Sequence, residues 1–222
     1  MPRVKKAPEE ESGIVARFLK LHPVSTVIRF LLGGITVLFL TLMVLFALYK
    51  PGEYLSGQPF PKWFFFSTAL ILLSSYTIDR ARRAFVKDDG TVLLNFLLIT
   101  LALGTAFSIT QFLGWQQLWN AKLTLYGVPE SPRNEISALR STPGAAFLFI
   151  ISGLHILHLT GGLIYLFISM FRVVNHRSDQ VKSLLYFSSP LERARISSLA
   201  LYWHFLDILW VLLFLYFLWF FV

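Results

Sequence analysis

The sequence predicts an all-α membrane protein with five transmembrane helices. Three observations predict it. The 222 residues are 55% hydrophobic and only 14% charged, with 22 Phe and a mean hydropathy of +0.63, more apolar surface than a soluble domain of this length buries. Five runs of mainly apolar residues each reach about 18 or more, the length a helix needs to cross hydrocarbon. The polar segments between those runs alternate in their content of Lys and Arg, as loops on opposite sides of a membrane do.

In chain order the runs cover 27–49, 62–79, 92–113, 145–171 and 199–222, one transmembrane domain over 27–222 preceded by a polar segment, 1–26. That first segment contains PEEESG at 8–13 and lacks the pattern of a secretory signal. Within it, GIVARFLKLHP at 13–23 mixes apolar and basic residues, as either a short interfacial helix or a plain linker would. The second run is the shortest and carries Ser67, Thr68, Ser74, Ser75 and Thr77. Hydroxyls on such helices bond the preceding turn or a neighbouring helix. The segment 114–144, with VPESPRNE at 128–135, reads as the longest external loop, and TPG at 142–144 places Pro143 in the first turn of the fourth helix.

Charge orients the chain. Residues 1–29, 80–91 and 172–198 hold 15 of the 20 Lys and Arg, while Lys50, Lys62, Lys122, Arg133 and Arg140 make up the rest. The positive-inside rule then puts the N-terminus inside and the C-terminus outside. The net charge of +8 is spread over polar segments with no basic face interleaved with stacking aromatics, so nucleic acid is not an expected partner. The absence of cysteine excludes disulfides, thiol nucleophiles and thiolate-bridged copper.

Chemistry is concentrated in a few polar residues at membrane depth. The third run has Gln111, the fourth His155 and His158, and the fifth His204 and Asp207 in YWHFLDILW, 202–210. Ionisable residues inside a membrane face the bundle interior and have a partner or a role. Asp costs about 2.5–3.5 kcal/mol at mid-membrane, which a helix rich in Leu, Ile, Val and Phe offsets. His204 and Asp207 are three residues apart and share a helix face, as an imidazole–carboxylate clasp would, although a proton relay, a lipid-headgroup contact or a metal ligand uses the same spacing. His155 and His158 also share one face, so they cannot clamp a haem from its two sides. Counting 1.5 Å per residue from the inner ends at 171 and 199 puts His158 about 20 Å deep and Asp207 about 12 Å, which separates the two pairs. Gly153, Gly161 and Gly162 make the fourth helix a close-packing seam. Trp203 lies where an interfacial aromatic belt is expected, and Trp210 is deep enough to be packing or ligand contact. Phosphate loops, G-x-S-x-G and H-E-x-x-H patterns do not occur.

YWHFLDILWVLLF (202–214) resembles the last-helix signature of cytochrome c oxidase subunit III, which typically reads YWHFVDVVWLFLF. STPGAAFLFIISGLHILHLTGGLIYL (141–166) is similar to the family's G-x-x-F-F-x-L-T-G-x-H-G-x-H-V-x-x-G pattern, and LLSSYTIDRA (72–81) and LGTAFSITQFLGWQQL (103–118) fit the helices before it. These stretches span four helices in the family's order, about three quarters of the chain. The longer members have seven spans, and many bacterial ones have five, lacking the first two. Two departures are plain. The first run, IRFLLGGITVLFLTLMVLF (28–46), lacks the family's buried glutamate, and HILH stands where HGLH is usual.

The resemblance implies a subunit III-like helix bundle with a lipid-binding cleft in a bacterial inner membrane. It implies a noncatalytic subunit of a haem–copper terminal oxidase for cytochrome c or quinol. Such a subunit packs on catalytic subunit I and other subunits, holds phospholipid and supports proton uptake, in some cases within a respiratory supercomplex. Haem and copper would sit in the partner subunits, with no cofactor or metal in this chain. His155, His158, Trp203, His204, Asp207 and Trp210 are the candidate lipid-binding or packing residues, and none is expected to be catalytic. A transporter or proton channel with the two pairs as stations is the alternative reading, as is a membrane metalloenzyme built on the histidines.

Overall fold

Helices account for nearly all of the computed structural model, which describes residues 23–48, 60–125, 143–177 and 179–221. They are α1 (Pro23–Leu48), α2 (Lys62–Val86), α3 (Gly90–Leu125), α4 (Pro143–Arg177), α5 (Gln180–Ser188) and α6 (Pro190–Phe221). Each of the five apolar runs lies in a separate long helix, and Pro143 opens α4, where its missing N–H costs nothing. The segment 13–22 and most of the expected loop, 126–142, lie outside the described residues.

The helices outrun the apolar runs that announced them. The expected loop 114–144 is helical as far as Leu125, α4 extends the C-terminal end of its run to Arg177, and α6 extends the N-terminal end of its run back to Pro190. A hydropathy window stops at the first charges, whereas Arg, Lys, Glu and Gln are good helix formers and continue the helix into the polar layer. The short α5 was not expected. Its N-cap is Asp179, whose carboxylate accepts from the Val181 N–H at 3.0 Å.

α1, α4 and α6, and α3 through Leu118, are long and apolar enough to cross a membrane. α2, the expected second span, is less apolar. Its hydroxyls and the Asp79, Arg80, Arg82 and Arg83 tail lower its hydropathy.

α2 and α3 form a tight helical hairpin. Its turn is a Schellman motif: Asp88 takes the left-handed conformation at φ 57°, its N–H bonds Phe85 O at 3.2 Å, and Asp89 N–H bonds Ala84 O at 3.1 Å. Asp89 then caps α3 by accepting from the Val92 N–H. α6 packs against α1, α2 and α4, and so forms the spine of the bundle. Its residues Leu206, Leu209, Leu213 and Phe217 lie in the core. Large apolar residues such as Phe30, Phe66, Leu157 and Trp219 cover the outside. That distribution suits a lipid surround, where exposed side chains need not be polar.

Candidate functional site, a polar seam around the last helix

α2 supplies most of the polar atoms that meet inside the bundle. Toward α6, the Trp203 indole N–H donates to Ser74 Oγ at 3.0 Å, Ser75 Oγ is hydrogen-bonded to His204 Nδ1 at 2.7 Å, and the Trp210 indole N–H donates to Thr68 Oγ1 at 3.1 Å. Toward α3, Thr77 and Thr100 share a 2.8 Å bond, and Gln111 Nε2 donates to Ser67 Oγ at 2.8 Å. The spacing 67, 68, 74, 75, 77 follows from the helical repeat, which turns these hydroxyls toward two neighbours. Most also bond a carbonyl of their own preceding turn. The second run's hydroxyls therefore do both things expected of them, and they make α2 the polar layer between α3 and α6.

His204 and Asp207 share a face and stand within ion-pair distance, but no hydrogen bond joins them. Asp207 Oδ2 lies 3.9 Å from His204 Nδ1, beyond hydrogen-bond reach, because Ser75 occupies that nitrogen. Asp207 is 4% exposed, and neither carboxylate oxygen has a hydrogen-bond partner. His204 is half-buried at the edge of the α2–α6 contact.

Trp203 is fully buried rather than part of an interfacial belt. It lies against Gly104, where an added Cβ would stand 2.9 Å from the indole, and Ser74 satisfies its N–H away from water. Trp210 is a packing residue, with its ring 5.5 Å from His155 and 5.4 Å from Phe107.

On α4, His155 is buried between Trp210 and Phe107 with neither ring nitrogen hydrogen-bonded. His158 turns elsewhere: its Nδ1 bonds Leu154 O at 2.6 Å, and Phe39 of α1 meets its ring edge-on at 5.7 Å. Its carbonyl accepts from the Tyr202 hydroxyl at 2.8 Å. Of the seam glycines, Gly162 lies under Leu206 and Tyr202, whereas nothing stands within 4 Å of a Cβ at Gly153.

Depth does not separate the two pairs. α4 and α6 run antiparallel, with His155 beside Trp210, Gly162 under Leu206, and Tyr165 bonded to Arg195 O. In that register Asp207 lies at about the depth of His158. Measured from the true helix ends, His158 is 19 residues from Arg177 and Asp207 is 17 from Pro190. The pairs are kept apart by direction: His158 faces α1, and the His204 pair faces α2. Among the described residues, no three His, Asp or Glu side chains converge as metal ligands would.

Where α4 ends and α6 begins, Glu192 pairs with Arg195 and, at 3.7 Å, with Arg172 of α4. The Tyr186 ring stacks on His176 at 5.0 Å. Burial, and then the Glu192 charge, push the Tyr186 hydroxyl above the ordinary tyrosine range. This cluster is not legible in the sequence because its residues lie in what reads as a polar loop.

No protein-family model matches the chain. It is 27% identical over 147 residues to "Cytochrome bo(3) ubiquinol oxidase subunit 3" of Pseudomonas putida, covering 66% of this chain and 59% of that protein. It is 28% identical over 149 residues to "Cytochrome c oxidase subunit 3" of Aedes aegypti and 26% identical over 149 residues to that of Papio hamadryas, in each case 67% of this chain and 47% of the relative. The chain thus spans about half the length of the curated relatives it matches.

Proposed function

Because the chain belongs to the subunit III family of cytochrome c and ubiquinol oxidases, we propose that it serves as a noncatalytic subunit of a haem–copper terminal oxidase. The observation that carries this reading is an identity of 26–28% over about two thirds of the chain with oxidase subunits that use two different electron donors. In this reading the chain packs on the catalytic subunit, which holds the haem and copper, and supports proton uptake there. It resides in a bacterial inner membrane and retains phospholipid between its helices.

α2 is the fifth span of this proposal. At 25 residues it is about 37 Å long, enough to cross the hydrocarbon core. Its polar atoms are paired with its own turns or with α3 and α6, and it presents Phe65, Phe66, Leu72 and Leu73 outward. Five spans with this charge bias support an orientation with the N-terminus inside and the C-terminus outside.

The polar seam supports a structural role for the candidate residues. Trp203, Trp210 and His204 tie α6 to α2, His155 and His158 fill the contacts of α4 with α6 and α1, and Asp207 lies beside the tie. Affinity capture of the tagged full chain from gently solubilised membranes tests the proposal. Haem-bearing subunits are expected in the captured complex. A chain that purifies without them and carries ion flux in proteoliposomes would establish the transporter reading instead.

A further inference from the structure

The end of the bundle where α2 ends and α6 begins carries an apolar surface beyond the reach of hydrocarbon. A cavity of about 450 Å³ opens there between α2, α5 and α6, with Val86, Leu184, Phe187 and Pro190 in its wall. Val86 is 56% exposed and Leu184 73%, and Val181 and Leu185 continue the exposed face along α5. α2 and α6 run antiparallel, with Ser74 bonded to Trp203 and Thr68 to Trp210, so Val86 stands level with the start of α6. It lies about 6 Å beyond Arg82 and about 10 Å beyond Asp79, past the charges that mark the end of the apolar layer. An exposed apolar patch outside that layer marks a docking surface. Asp88 and Arg193 line the same cavity, exposed and without an ion pair among the described residues.

The chain itself brings a matching segment to this place. α1 starts at Pro23, and Ser25 Oγ is hydrogen-bonded at 3.3 Å to Ser198 Oγ of α6, which stands level with Asp79. Residues 13–22, GIVARFLKLH, lie outside the described residues and join the bundle at the same end as the cavity. Arg193 is five residues from Ser198, about 7.5 Å along α6 and about 140° around it. Ten residues cover about 15 Å as a helix and about 33 Å extended, so the segment reaches the cavity either way. At helical spacing Ile14, Val15, Phe18, Leu19 and Leu21 fall on one face, and Arg17 flanks it. Charge matches as well: Arg17 is opposite in sign to Asp88, and the run Glu9, Glu10, Glu11 is opposite to Arg193.

From this placement we infer that residues 13–22 dock as an amphipathic helix on the cavity between α2, α5 and α6, with the Phe18 ring against Val86 and Leu184, Arg17 paired with Asp88, and the acidic run facing Arg193. Docking there removes exposed apolar surface from water and fastens the segment ahead of α1 to both the α2–α3 hairpin and α5. The inference goes beyond the proposed function and holds in whichever assembly the chain joins.

The test uses the full chain in the assembly in which it is captured, held in polymer-bounded native membrane discs. A photoreactive benzophenone amino acid in place of Leu184 is expected to cross-link to residues 13–22 of the same chain, read by peptide mass spectrometry. The chain has no cysteine, so Leu184→Cys offers a maleimide a single site. Phe18→Asp is expected to raise the labelling of that site by about tenfold or more, the loss of a buried Phe. Arg17→Gln and Asp88→Asn are each expected to raise it by about twofold to fivefold, and the double variant no further, as for two members of one exposed ion pair. A cross-link from position 184 to another subunit or to lipid overturns the inference. So does labelling that neither Phe18→Asp nor Arg17→Gln changes. A captured assembly without haem in which the cross-link to 13–22 persists would instead contradict the proposed function alone.

Discussion

Ser75 Oγ lies 2.7 Å from His204 Nδ1, while Asp207 Oδ2 stands 3.9 Å from the same nitrogen. The imidazole is thus held by a hydroxyl on another helix, not by the carboxylate one turn away on its own. The tie joins α2 to α6, whereas a His204–Asp207 bond would have joined α6 only to itself. Ser75→Ala is therefore expected to weaken the bundle by about 0.6–2 kcal/mol, the range for hydrogen bonds between membrane helices. Asp207→Asn keeps the side-chain shape and leaves the Ser75–His204 bond in place, so it should cost less. Unfolding of both variants in detergent with added denaturant checks the order, and a larger loss for Asp207→Asn would reverse the assignment.

Two glycines with opposite surroundings separate packing from propensity. A Cβ at Gly104 would stand 2.9 Å from the ring of fully buried Trp203 and 3.1 Å from Leu163, and the indole is pinned by its bond to Ser74. Gly104→Ala should cost about 1–3 kcal/mol, as overpacking does. Gly33→Ala adds a methyl group where nothing lies within 4 Å and should be neutral or slightly stabilising, because Ala is the better helix former. Melting temperatures of the two variants give the comparison.

Alkaline stability reports on the cluster around Glu192 and Tyr186. Tyr186 is 4% exposed, and its hydroxyl is pushed up by burial and then by Glu192. A group whose folded pKa is raised contributes stability that is complete below its unfolded value, about 10 for tyrosine, and is lost as pH rises toward the folded value. Above that pH the unfolded chain gives up the proton first, so stability falls. Tyr186→Phe should flatten this fall between pH 10 and pH 11 (about the range in which an unfolded tyrosine ionises). An unchanged slope in denaturant titrations would show that the phenol is not buried against Glu192.

The helices were legible because apolar runs of membrane length have few alternatives. Their ends were not, since the charges of LERARIS and RVVNHR lower hydropathy without breaking a helix. That error carried into depth: with the true ends, His158 and Asp207 stand level, and only the directions of their side chains keep them apart. The shared face of His204 and Asp207 could be read from their spacing, but Ser75 as the bonded partner could not, because the choice among five hydroxyls on α2 depends on how that helix is rotated. Trp203 was misread for a related reason. Proximity to a boundary suggests a belt, while burial depends on the neighbour, here Gly104.

The central claim is that this chain supports an oxidase without carrying its redox centres. The most direct measurement compares the oxidase purified from cells with and without the chain, scoring haem per catalytic subunit, initial turnover and the decline of activity during sustained turnover. The account predicts equal haem and nearly equal initial turnover in both preparations, with faster decline when the chain is missing. Loss of haem, or an immediate loss of turnover in an otherwise assembled enzyme lacking only this chain, would contradict it.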